Sequence, residues 1–381
     1  MKITGAVLDE IGRPRPYADS KPIVIQELEL DEPGPGELLV RIEAAGICHS
    51  DLSVVDGNRP RPVPMLLGHE SAGIVEKVGE GIDDVTVGDR VVMCFLPRCE
   101  QCEMCAHDGR LPCSVGSAAN GAGVLLGDRG LLHRHTDHGD ERVLHHLGVS
   151  GFATHAVVNR ASAVPVGLDV PPDIAAVLGC AVLTGGGAVL NAAQPADGDS
   201  VMIVGLGGVG MAALLTAMSL GKGDVIAVDA LESKLVAARE LGATAYTPQE
   251  VAEQGIKATH VIECVGHPKA FETAFEATAP GGRTITVGLP APSAVSQIHP
   301  VVLTVEARTV IGSYLGSAVP ARDIPKYAQM WRDGSLPVER LISSHIALAD
   351  INQAMDALAD GTAMRQIIMF DEAAAGGEAG R

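Results

Sequence analysis

Hydrophobic positions change their spacing along the chain, and the change separates a β-rich beginning from the remainder. Up to about residue 92, short apolar runs alternate with polar residues and stop at Gly, Pro or Asp. This period of two is typical of half-buried strands. It predicts strands at 21–26, 37–42 and 72–78, a turn at 87–92 that leads into another strand, and a further strand at 151–158 after a long irregular region.

The middle of the chain alternates apolar strands with helices rich in small residues. A helix opens at Pro171 and runs toward Cys180, and Thr184 with the glycines at 185–187 is expected to interrupt it before 188–193. Alternation of this kind predicts an α/β fold with a doubly wound parallel sheet covered by helices. The predicted strands are 201–204, 225–228, 259–265 and 283–289, and the predicted helices are 211–220, 231–241, 270–277, 323–333 and 351–359, before a last strand at 366–370.

Two regions lack a clear period. Residues 114–150 are rich in Gly and His, and a solvated excursion is preferred there over a second metal site. The histidines concerned are His133, His135, His138, His145 and His146. The tail at 371–381 is rich in Ala, Gly and Glu and is expected to be unpacked.

Composition and charge narrow the class of protein. With 381 residues the chain is long enough for two domains, and a net charge of −19 argues against a nucleic acid or an anionic membrane as partner. The N-terminus has no signal-peptide core, and no apolar run is expected to span a bilayer. A cytoplasmic protein is therefore expected, in which the eight cysteines are metal ligands or free thiols.

A glycine turn between two predicted strands carries the most informative local pattern. Gly205, Gly207 and Gly210 follow an apolar strand and open a helix, which points backbone N–H groups at a pyrophosphate. Asp229 ends the next strand, where a carboxylate accepts hydrogen bonds from an adenosine ribose and repels a 2′-phosphate. The pattern predicts NAD rather than NADP, with an ordinary βαβ unit as the alternative.

Four cysteines lie close together in one short stretch, 97–115. Their spacing, C-x2-C-x2-C-x7-C, suits a closed tetrahedral Zn²⁺ site without an open position. A loop of free thiols in a reducing compartment is the alternative. The cysteines are Cys99, Cys102, Cys105 and Cys113.

Five motifs in this order resemble the zinc-dependent medium-chain alcohol dehydrogenases, in their long-chain branch with a catalytic and a structural zinc. They are 46–51, 68–70, the four-cysteine stretch, 178–180 and the glycine turn. The resemblance covers nearly the whole chain. It implies a GroES-like β-rich catalytic domain from 1–184 and 323–381, and a Rossmann domain from 185–322, with the active site in the cleft between them.

The resemblance also implies roles for individual residues. Cys48, His69 and Cys180 would bind the catalytic zinc, and the four clustered cysteines the structural zinc, giving two zinc ions per chain. Ser50 would take part in proton transfer, Asp51 would orient His69, and Glu70 would lie near the metal. Taken singly, Ser50 and Asp51 are equally typical of turns, and Glu70 of an ion pair.

Further residues match family positions for the cofactor and substrate. The cofactor set is His49, Thr184, Gly205, Gly207, Gly208, Val209, Gly210, Asp229, Lys234 and Arg365, although Lys234 and Arg365 alone would be surface charges. The substrate-pocket set is Arg59, Phe95 and Leu147, with a solvated loop arginine as the alternative for Arg59.

Two departures from the family pattern limit this comparison. Ser53 stands where many relatives have the histidine that ends the proton relay, so either solvent or another base such as His49 is expected to serve. Residues 114–117 lack the arginine of glutathione-dependent formaldehyde dehydrogenases, which disfavours that branch without excluding another thiol adduct.

The expected function is reversible hydride transfer between NAD and a primary or aromatic alcohol or its aldehyde. Three alternatives stay open: a nicotinoprotein with tightly bound NAD and an external acceptor, a thiol-adduct formaldehyde dehydrogenase, and a regulator that binds zinc and NAD without turnover. The family implies a homodimer or homotetramer. The only other partner expected is the small-molecule substrate.

Overall fold

The computed structural model describes residues 1–107, 111–137 and 139–370 of the chain. The chain divides into two units, each with its own hydrophobic core. Three segments form unit 1 and two form unit 2: Met1–Cys180, Pro320–Arg332 and Ile342–Arg381 in the first, and Ala181–Val319 and Asp333–Leu341 in the second.

The unit boundaries differ in one respect from those expected. The expected junctions at 184 and 323 lie a few residues beyond those of the units. Residues 333–341, however, belong to unit 2, because the 3₁₀ helix Val338–Leu341 packs against the helix Gly208–Leu220 of that unit. The tail at 371–381, expected to be unpacked, and His138 lie outside the described residues.

Strands account for most of unit 1 and for the central layer of unit 2. In chain order they are β1 (Lys2–Leu8), β2 (Ile23–Leu30), β3 (Glu37–Ile47), β4 (Met65–Leu66), β5 (Glu70–Val78), β6 (Arg90–Met93), β7 (Leu132–Thr136), β8 (Gly139–His145), β9 (His155–Asn159), β10 (Ala163–Val166), β11 (Val201–Val204), β12 (Val225–Val228), β13 (Thr244–Tyr246), β14 (Ala258–Glu263), β15 (Thr278–Thr286), β16 (Thr309–Gly312), β17 (Ser344–Ile346) and β18 (Gln366–Met369).

Helices connect or flank these strands. They are α1 (Tyr17–Ser20), α2 (His49–Val55), α3 (Glu103–Ala106), α4 (Ser114–Ala122), α5 (Pro172–Val177), α6 (Leu183–Gly187), α7 (Gly208–Leu220), α8 (Glu232–Glu240), α9 (Pro248–Gln254), α10 (Pro268–Glu276), α11 (Pro300–Val305), α12 (Pro320–Arg332) and α13 (Ile351–Ala359). Shorter turns of π-helix occur at Leu178–Val182 and Ala188–Ala193, and of 3₁₀ helix at Arg160–Ser162, Tyr314–Ser317, Val338–Leu341 and Leu348–Asp350.

Unit 1 combines a closed barrel with a larger sheet. The barrel order is β1-β2-β7-β8-β4, and the sheet order is β10-β6-β5-β3-β18-β17 with β9 also paired to β3. The antiparallel register of β3 and β5 sets Gly46 opposite Glu70. Because Cys48 directly follows β3 and His69 directly precedes β5, this register brings both residues to the same end of the sheet.

Unit 2 contains six parallel strands in the order β13-β12-β11-β14-β15-β16. All four residues of β11 are buried, as expected for a strand covered by helices on both faces. The register pairs Val201 with Val225 and His260. Gly205 and Asp229 therefore follow their strands at the same edge of the sheet, and the expected α/β fold with a helix-covered parallel sheet is confirmed.

The expected helix break at 184–187 is wrong. The chain is helical from Pro172 to Ala193, through α5, α6 and the two π-turns. The glycines permit close packing instead, since a Cβ on Gly187 would lie 2.4 Å from the Gly316 carbonyl oxygen. By length and composition this helix could cross a membrane, contrary to expectation, but 83% of its most apolar window is buried inside the structure, as in a core helix.

The expected solvated excursion at 114–150 is only partly correct. His133 and His135 lie on β7 and are partly or largely exposed, but His145 and His146 are buried. β8 pairs with β4, with His145 opposite Leu66, and this pairing carries the end of the strand into the interior.

Candidate active site

Two thiols and an imidazole meet at one end of the sheet in unit 1. Cys48 precedes α2, His69 precedes β5, and Cys180 lies in the first π-turn. All three are buried and their ligand atoms lie within 4.8 Å of one another, with His69 Nε2 3.5 Å from Cys180 Sγ. Gly179 lets the π-turn approach β6, because a Cβ there would lie 2.2 Å from the Met93 carbonyl oxygen. The structure thus brings together three residues that spacing alone could not connect.

The pKa values of the two thiols of this cluster are shifted in opposite directions. A hydrogen bond from Cys180 lowers the pKa of Cys48 well below its ordinary value; burial opposes this shift, and Arg365 and His69 favour it. The same hydrogen bond raises the pKa of Cys180, and the burial of this thiol raises it further. A divalent cation would compensate the charge of a second thiolate, so the donor set fits a bound metal.

Asp51 connects two members of the cluster. Its Oδ1 lies 2.9 Å from His69 Nδ1, and its Oδ2 accepts the backbone N–H of Cys48 at 3.0 Å. Burial works to raise the pKa of this carboxyl group, but the imidazoles of His69 and His146 outweigh it and lower the pKa to about 2. An ionised Asp51 holds the His69 proton on Nδ1, which leaves Nε2 to act as a metal ligand.

Glu70 and Arg365 form a buried ion pair beside the cluster. Glu70 Oε1 lies 3.4 Å from Arg365 Nε without hydrogen-bond alignment, and neither Glu70 oxygen has a hydrogen-bond partner among the described residues. Burial raises the pKa of Glu70 to about 7, against the opposing effect of Arg365. Arg365 also donates to the Ile47 carbonyl oxygen at 2.9 Å. Its expected contact with a cofactor phosphate stays a prediction.

His146, which the sequence analysis assigned to a solvated excursion, is a buried neighbour of this cluster. Its Nδ1 lies 3.2 Å from Asp51 Oδ1, and its ring meets the His69 ring edge-on at a centroid distance of 5.4 Å. Asp51, His69 and His146 also have ligand atoms within 4.8 Å of one another. The flanking Leu144 and Leu147 were the available sign that this histidine turns inward.

The four clustered cysteines converge at a separate point of unit 1. Their Sγ atoms lie within 4.8 Å of one another, and the Sγ atoms of Cys102 and Cys105 are 3.5 Å apart. Backbone N–H groups of Cys99 and Gly116 donate to Cys113 Sγ, each at 3.3 Å, which stabilises a thiolate. Hydrogen bonds from Ser114 and the Cys105 backbone lower the pKa of Cys102 to about 5.

The glycine turn of unit 2 has the geometry expected from its sequence. Gly205 has a φ of +92°, and a Cβ on Gly210 would lie 1.7 Å from the Gly205 carbonyl oxygen, so neither position accepts a side chain without strain. A Cβ on Gly207, in contrast, would meet nothing within 4 Å. Gly208 and Val209 open α7, so their backbone N–H groups lie at the helix N-terminus, which favours an anion.

Asp229 follows β12 beside this turn. Its Oδ2 accepts the N–H of Leu206 at 2.7 Å and its Oδ1 the N–H of Leu231 at 2.9 Å. Lys234 Nζ lies 3.7 Å from Asp229 Oδ2. The carboxylate is thus held in place by the glycine turn itself. Thr184 lies in α6 and is buried.

Two families match this chain along most of its length. Residues 34–167 match the family described as alcohol dehydrogenase GroES-like domain, and residues 208–332 match zinc-binding dehydrogenase. Alcohol dehydrogenase 1 of Solanum tuberosum is 33% identical over 366 residues, which cover 92% of this chain and 95% of the relative. The chain belongs to the zinc-dependent medium-chain alcohol dehydrogenases.

Solved structures agree with this assignment. The alcohol dehydrogenase zinc-binding domain protein of Burkholderia ambifaria has a TM-score of 0.88 at 30% identity, over 98% of this chain and 100% of the other. Benzyl alcohol dehydrogenase of Acinetobacter calcoaceticus has a TM-score of 0.87 at 30% identity, over 97% and 100%. The expected GroES-like and Rossmann folds are confirmed, and so is an oxidoreductase of the alcohol dehydrogenase kind.

In this zinc-dependent dehydrogenase, the expected pocket residues Phe95 and Leu147 lie near the cluster that contains His69. The Phe95 ring meets the His69 ring edge-on at 5.6 Å, and Leu147 follows His146 directly. Asn120 donates to the Phe95 carbonyl oxygen at 2.7 Å, while Arg61 donates to the carbonyl oxygen of Asn120 at 2.9 Å. Asn120 of α4 therefore holds the backbone of Phe95 in place.

The first turn of α2 carries the residues expected in proton transfer. Ser50 is half-buried and His49 is exposed. The hydroxyl of Ser53 donates to the His49 carbonyl oxygen at 2.8 Å, so it is already used within the helix. Arg59 follows α2 and is half-buried, with its backbone N–H bound to the Ser53 carbonyl oxygen.

Proposed function

We propose that this protein is an NAD-dependent zinc alcohol dehydrogenase that interconverts a primary or aromatic alcohol and its aldehyde. The observation that carries the proposal is the buried cluster of Cys48, His69 and Cys180, with Asp51 bound to the imidazole. Two thiolates and a neutral imidazole are a donor set typical of catalytic zinc, and three protein ligands leave one position for substrate. Zinc bound there would supply a Lewis acid that polarises the alcohol oxygen.

A second zinc ion, held by the four clustered cysteines, is part of the proposal. Four thiolates close the coordination shell, so this ion would have a structural role. The N–H groups that donate to Cys113 Sγ support this assignment, because they stabilise the charged form of the ligand.

The proposed cofactor is NAD rather than NADP. Asp229 presents an oriented carboxylate beside the glycine turn, where it accepts ribose hydroxyl groups and repels a 2′-phosphate. Lys234, 3.7 Å from that carboxylate, is proposed to contact the same ribose. Gly208 and Val209 are proposed to donate backbone N–H groups to the pyrophosphate. Thr184 is proposed near the nicotinamide, and Arg365 at a phosphate.

Ser50 is the proposed acceptor of the alcohol proton. It lies two residues after Cys48, in the first turn of α2. Since the Ser53 hydroxyl already donates to a backbone carbonyl, the exposed His49 is the better candidate for passing the proton to solvent. Asp51 is proposed to orient His69, and Glu70 to lie beside the metal.

The likeness to benzyl alcohol dehydrogenase supports an aromatic or other primary alcohol as substrate. Phe95 and Leu147 supply apolar surface beside the cluster. Arg59 is proposed to favour polar or anionic alcohols. An Arg59→Leu variant with an unchanged ratio of kcat/KM between benzyl alcohol and a carboxylated benzyl alcohol would remove that role.

The experiment that tests the function measures bound nucleotide first and turnover second. The denatured supernatant of purified protein is examined for NAD, and NADH formation is then followed with benzyl alcohol and either NAD or NADP. Dissociable NAD and preference for NAD support the proposal. Retained NAD that an external acceptor reoxidises indicates a nicotinoprotein, and turnover only with a thiol adduct indicates a formaldehyde dehydrogenase. Binding of zinc and NAD without any turnover would contradict it.

Location and assembly are part of the same proposal. None of the eight cysteines forms a disulfide, which agrees with the proposed location in the reducing cytoplasm. Assembly as a homodimer or homotetramer is proposed from the family, and sedimentation equilibrium would distinguish the two.

A further inference from the structure

Two buried histidines stand side by side at the end of β8, and they have different surroundings. Each is about 1% exposed. His145, the last residue of β8, has no hydrogen-bond partner for either ring nitrogen among the described residues. His146 instead places Nδ1 3.2 Å from Asp51 Oδ1. That contact is electrostatic, since the nitrogen is not aligned for a straight hydrogen bond.

The backbone around His146 is fixed against the segment that carries His69. The His146 N–H donates to Ser150 Oγ at 2.9 Å, and the Ser150 hydroxyl donates to the Leu66 carbonyl oxygen at 2.9 Å. The N–H of Gly151 reaches the Gly68 carbonyl oxygen at 3.0 Å. The turn after β8 is therefore bound to the residues just before His69, which sets the distance between the two imidazoles.

We propose that His146 is a positioning residue for the metal centre and acts through Asp51. Asp51 Oδ1 lies between the two imidazoles, 2.9 Å from His69 Nδ1 and 3.2 Å from His146 Nδ1. The His146 ring also limits rotation of the His69 ring, which it meets at 89°. This inference rests on the proposed function, because it assumes that Cys48, His69 and Cys180 hold zinc.

Loss of His146 has a defined physical consequence. Asp51 Oδ1 would keep one partner instead of two, and the buried carboxylate would gain freedom to turn away from His69. The His69 imidazole would then be less firmly held in the tautomer and orientation that a metal ligand needs. The four clustered cysteines are a separate site, so their zinc should not respond.

Three variants separate this role from general damage to the core. His146→Leu removes the ring nitrogen, His146→Asn keeps an amide N–H near the position of Nδ1, and His145→Leu is a matched control that removes an equally buried imidazole without contact to Asp51. The measurements are zinc release from the full-length holoprotein to a chromogenic chelator, and the visible spectrum of the Co²⁺-substituted protein. The zinc of the four cysteines serves as an internal check that unit 1 is folded.

For His146→Leu we expect faster release of one of the two zinc ions to the chelator. The affinity for that ion should be weakened by about 10- to 100-fold, and the Co²⁺ spectrum should shift. His146→Asn should restore most of the affinity, and His145→Leu should match the wild type. A His146→Leu protein with wild-type release and spectrum overturns the inference. Retention of both zinc ions by Cys48→Ser, with loss of one by His146→Leu, also overturns it, because the ion would then lie on Asp51, His69 and His146. A wild-type protein that binds zinc only at the four cysteines overturns the proposed metal centre itself.

Discussion

Asp51 Oδ1 lies 2.9 Å from His69 Nδ1, while the other oxygen of the same carboxylate accepts the backbone N–H of Cys48. One buried acid therefore orients two proposed zinc ligands, one just after β3 and the other just before β5. Its pKa, lowered to about 2, keeps it ionised near neutral pH. The proposed metal centre thus depends on a residue that need not touch the metal.

Asp51→Asn is expected to weaken zinc binding at the Cys48 centre. The amide is uncharged and presents a donor to the Cys48 N–H, so His69 is held less firmly in its ligand orientation. Zinc affinity and kcat/KM should each fall by about 10- to 100-fold. Elemental analysis after dialysis against a chelator measures the effect. Asp56→Asn, at the other end of α2, should retain wild-type zinc; equal loss in both variants would contradict the role of Asp51.

Two glycines of the same turn should respond differently to alanine. In Gly210→Ala the Cβ would lie 1.7 Å from the Gly205 carbonyl oxygen, so unit 2 is expected to lose stability by more than about 2 kcal/mol. In Gly207→Ala the Cβ meets nothing, but it stands where a pyrophosphate is expected to approach. That variant should unfold like the wild type and bind NAD at least about tenfold more weakly. Urea unfolding and NAD titration measure the two quantities, and unchanged NAD affinity in Gly207→Ala would contradict the cofactor site.

The four clustered cysteines are expected to stabilise their region of unit 1 only with zinc bound. Cys102→Ser should lose one zinc ion per chain and lower the free energy of unfolding by more than about 2 kcal/mol. Cys94→Ala is the control, because Cys94 is a cysteine of unit 1 that belongs to neither cluster. Zinc content and thermal unfolding report the outcome. A Cys102→Ser protein that keeps two zinc ions would show that the cysteines are not ligands.

His145 should make the protein less stable in mild acid. Burial, aided by the nearby Arg142, lowers the pKa of His145 from 6.5 to about 3. Between these values the unfolded chain binds a proton that the folded chain does not, so the free energy of unfolding falls as pH falls below 6.5. The loss is about 1.4 kcal/mol per pH unit, or about 2 kcal/mol at pH 5.

His145→Leu removes this dependence, and it also removes two buried nitrogens without partners. Its stability relative to the wild type should therefore rise by about 2 kcal/mol between pH 7 and pH 5, as measured by urea unfolding. Because the other titrating groups are common to both proteins, they cancel in the difference. A difference that does not vary with pH would mean that His145 has the same pKa in the folded and unfolded chain.

The sequence alone was sufficient to predict those sites whose residues lie close together along the chain. The glycine turn and Asp229 lie within one βαβ unit, and the four cysteines lie within one stretch, so spacing alone predicted both. Cys180, in contrast, lies 111 residues after His69, and only the register of β3 and β5 and the π-turn bring the three ligands together. The family resemblance joined them before the structure did.

Two predictions were wrong because contacts between residues far apart in the sequence decided the local structure. The glycines at 185–187, after Thr184, predicted a helix break, but they serve close packing inside a continuous helix, as in the contact between Gly187 and Gly316. His146 was assigned to a solvated excursion because residues 114–150 as a whole are rich in Gly and His. Its burial depends on the pairing of β8 with β4, two strands that lie far apart in the sequence.

The most direct test of the proposed metal centre compares NADH formation from benzyl alcohol by the wild-type holoprotein and by Cys180→Ser, at equal content of the zinc held by the four cysteines. The wild type should turn over, and Cys180→Ser should lose one zinc ion and at least about a thousandfold in kcat/KM, since a Lewis acid contributes several kcal/mol. A Cys180→Ser protein that keeps both zinc ions and the wild-type rate would show that Cys48, His69 and Cys180 are not the catalytic zinc site.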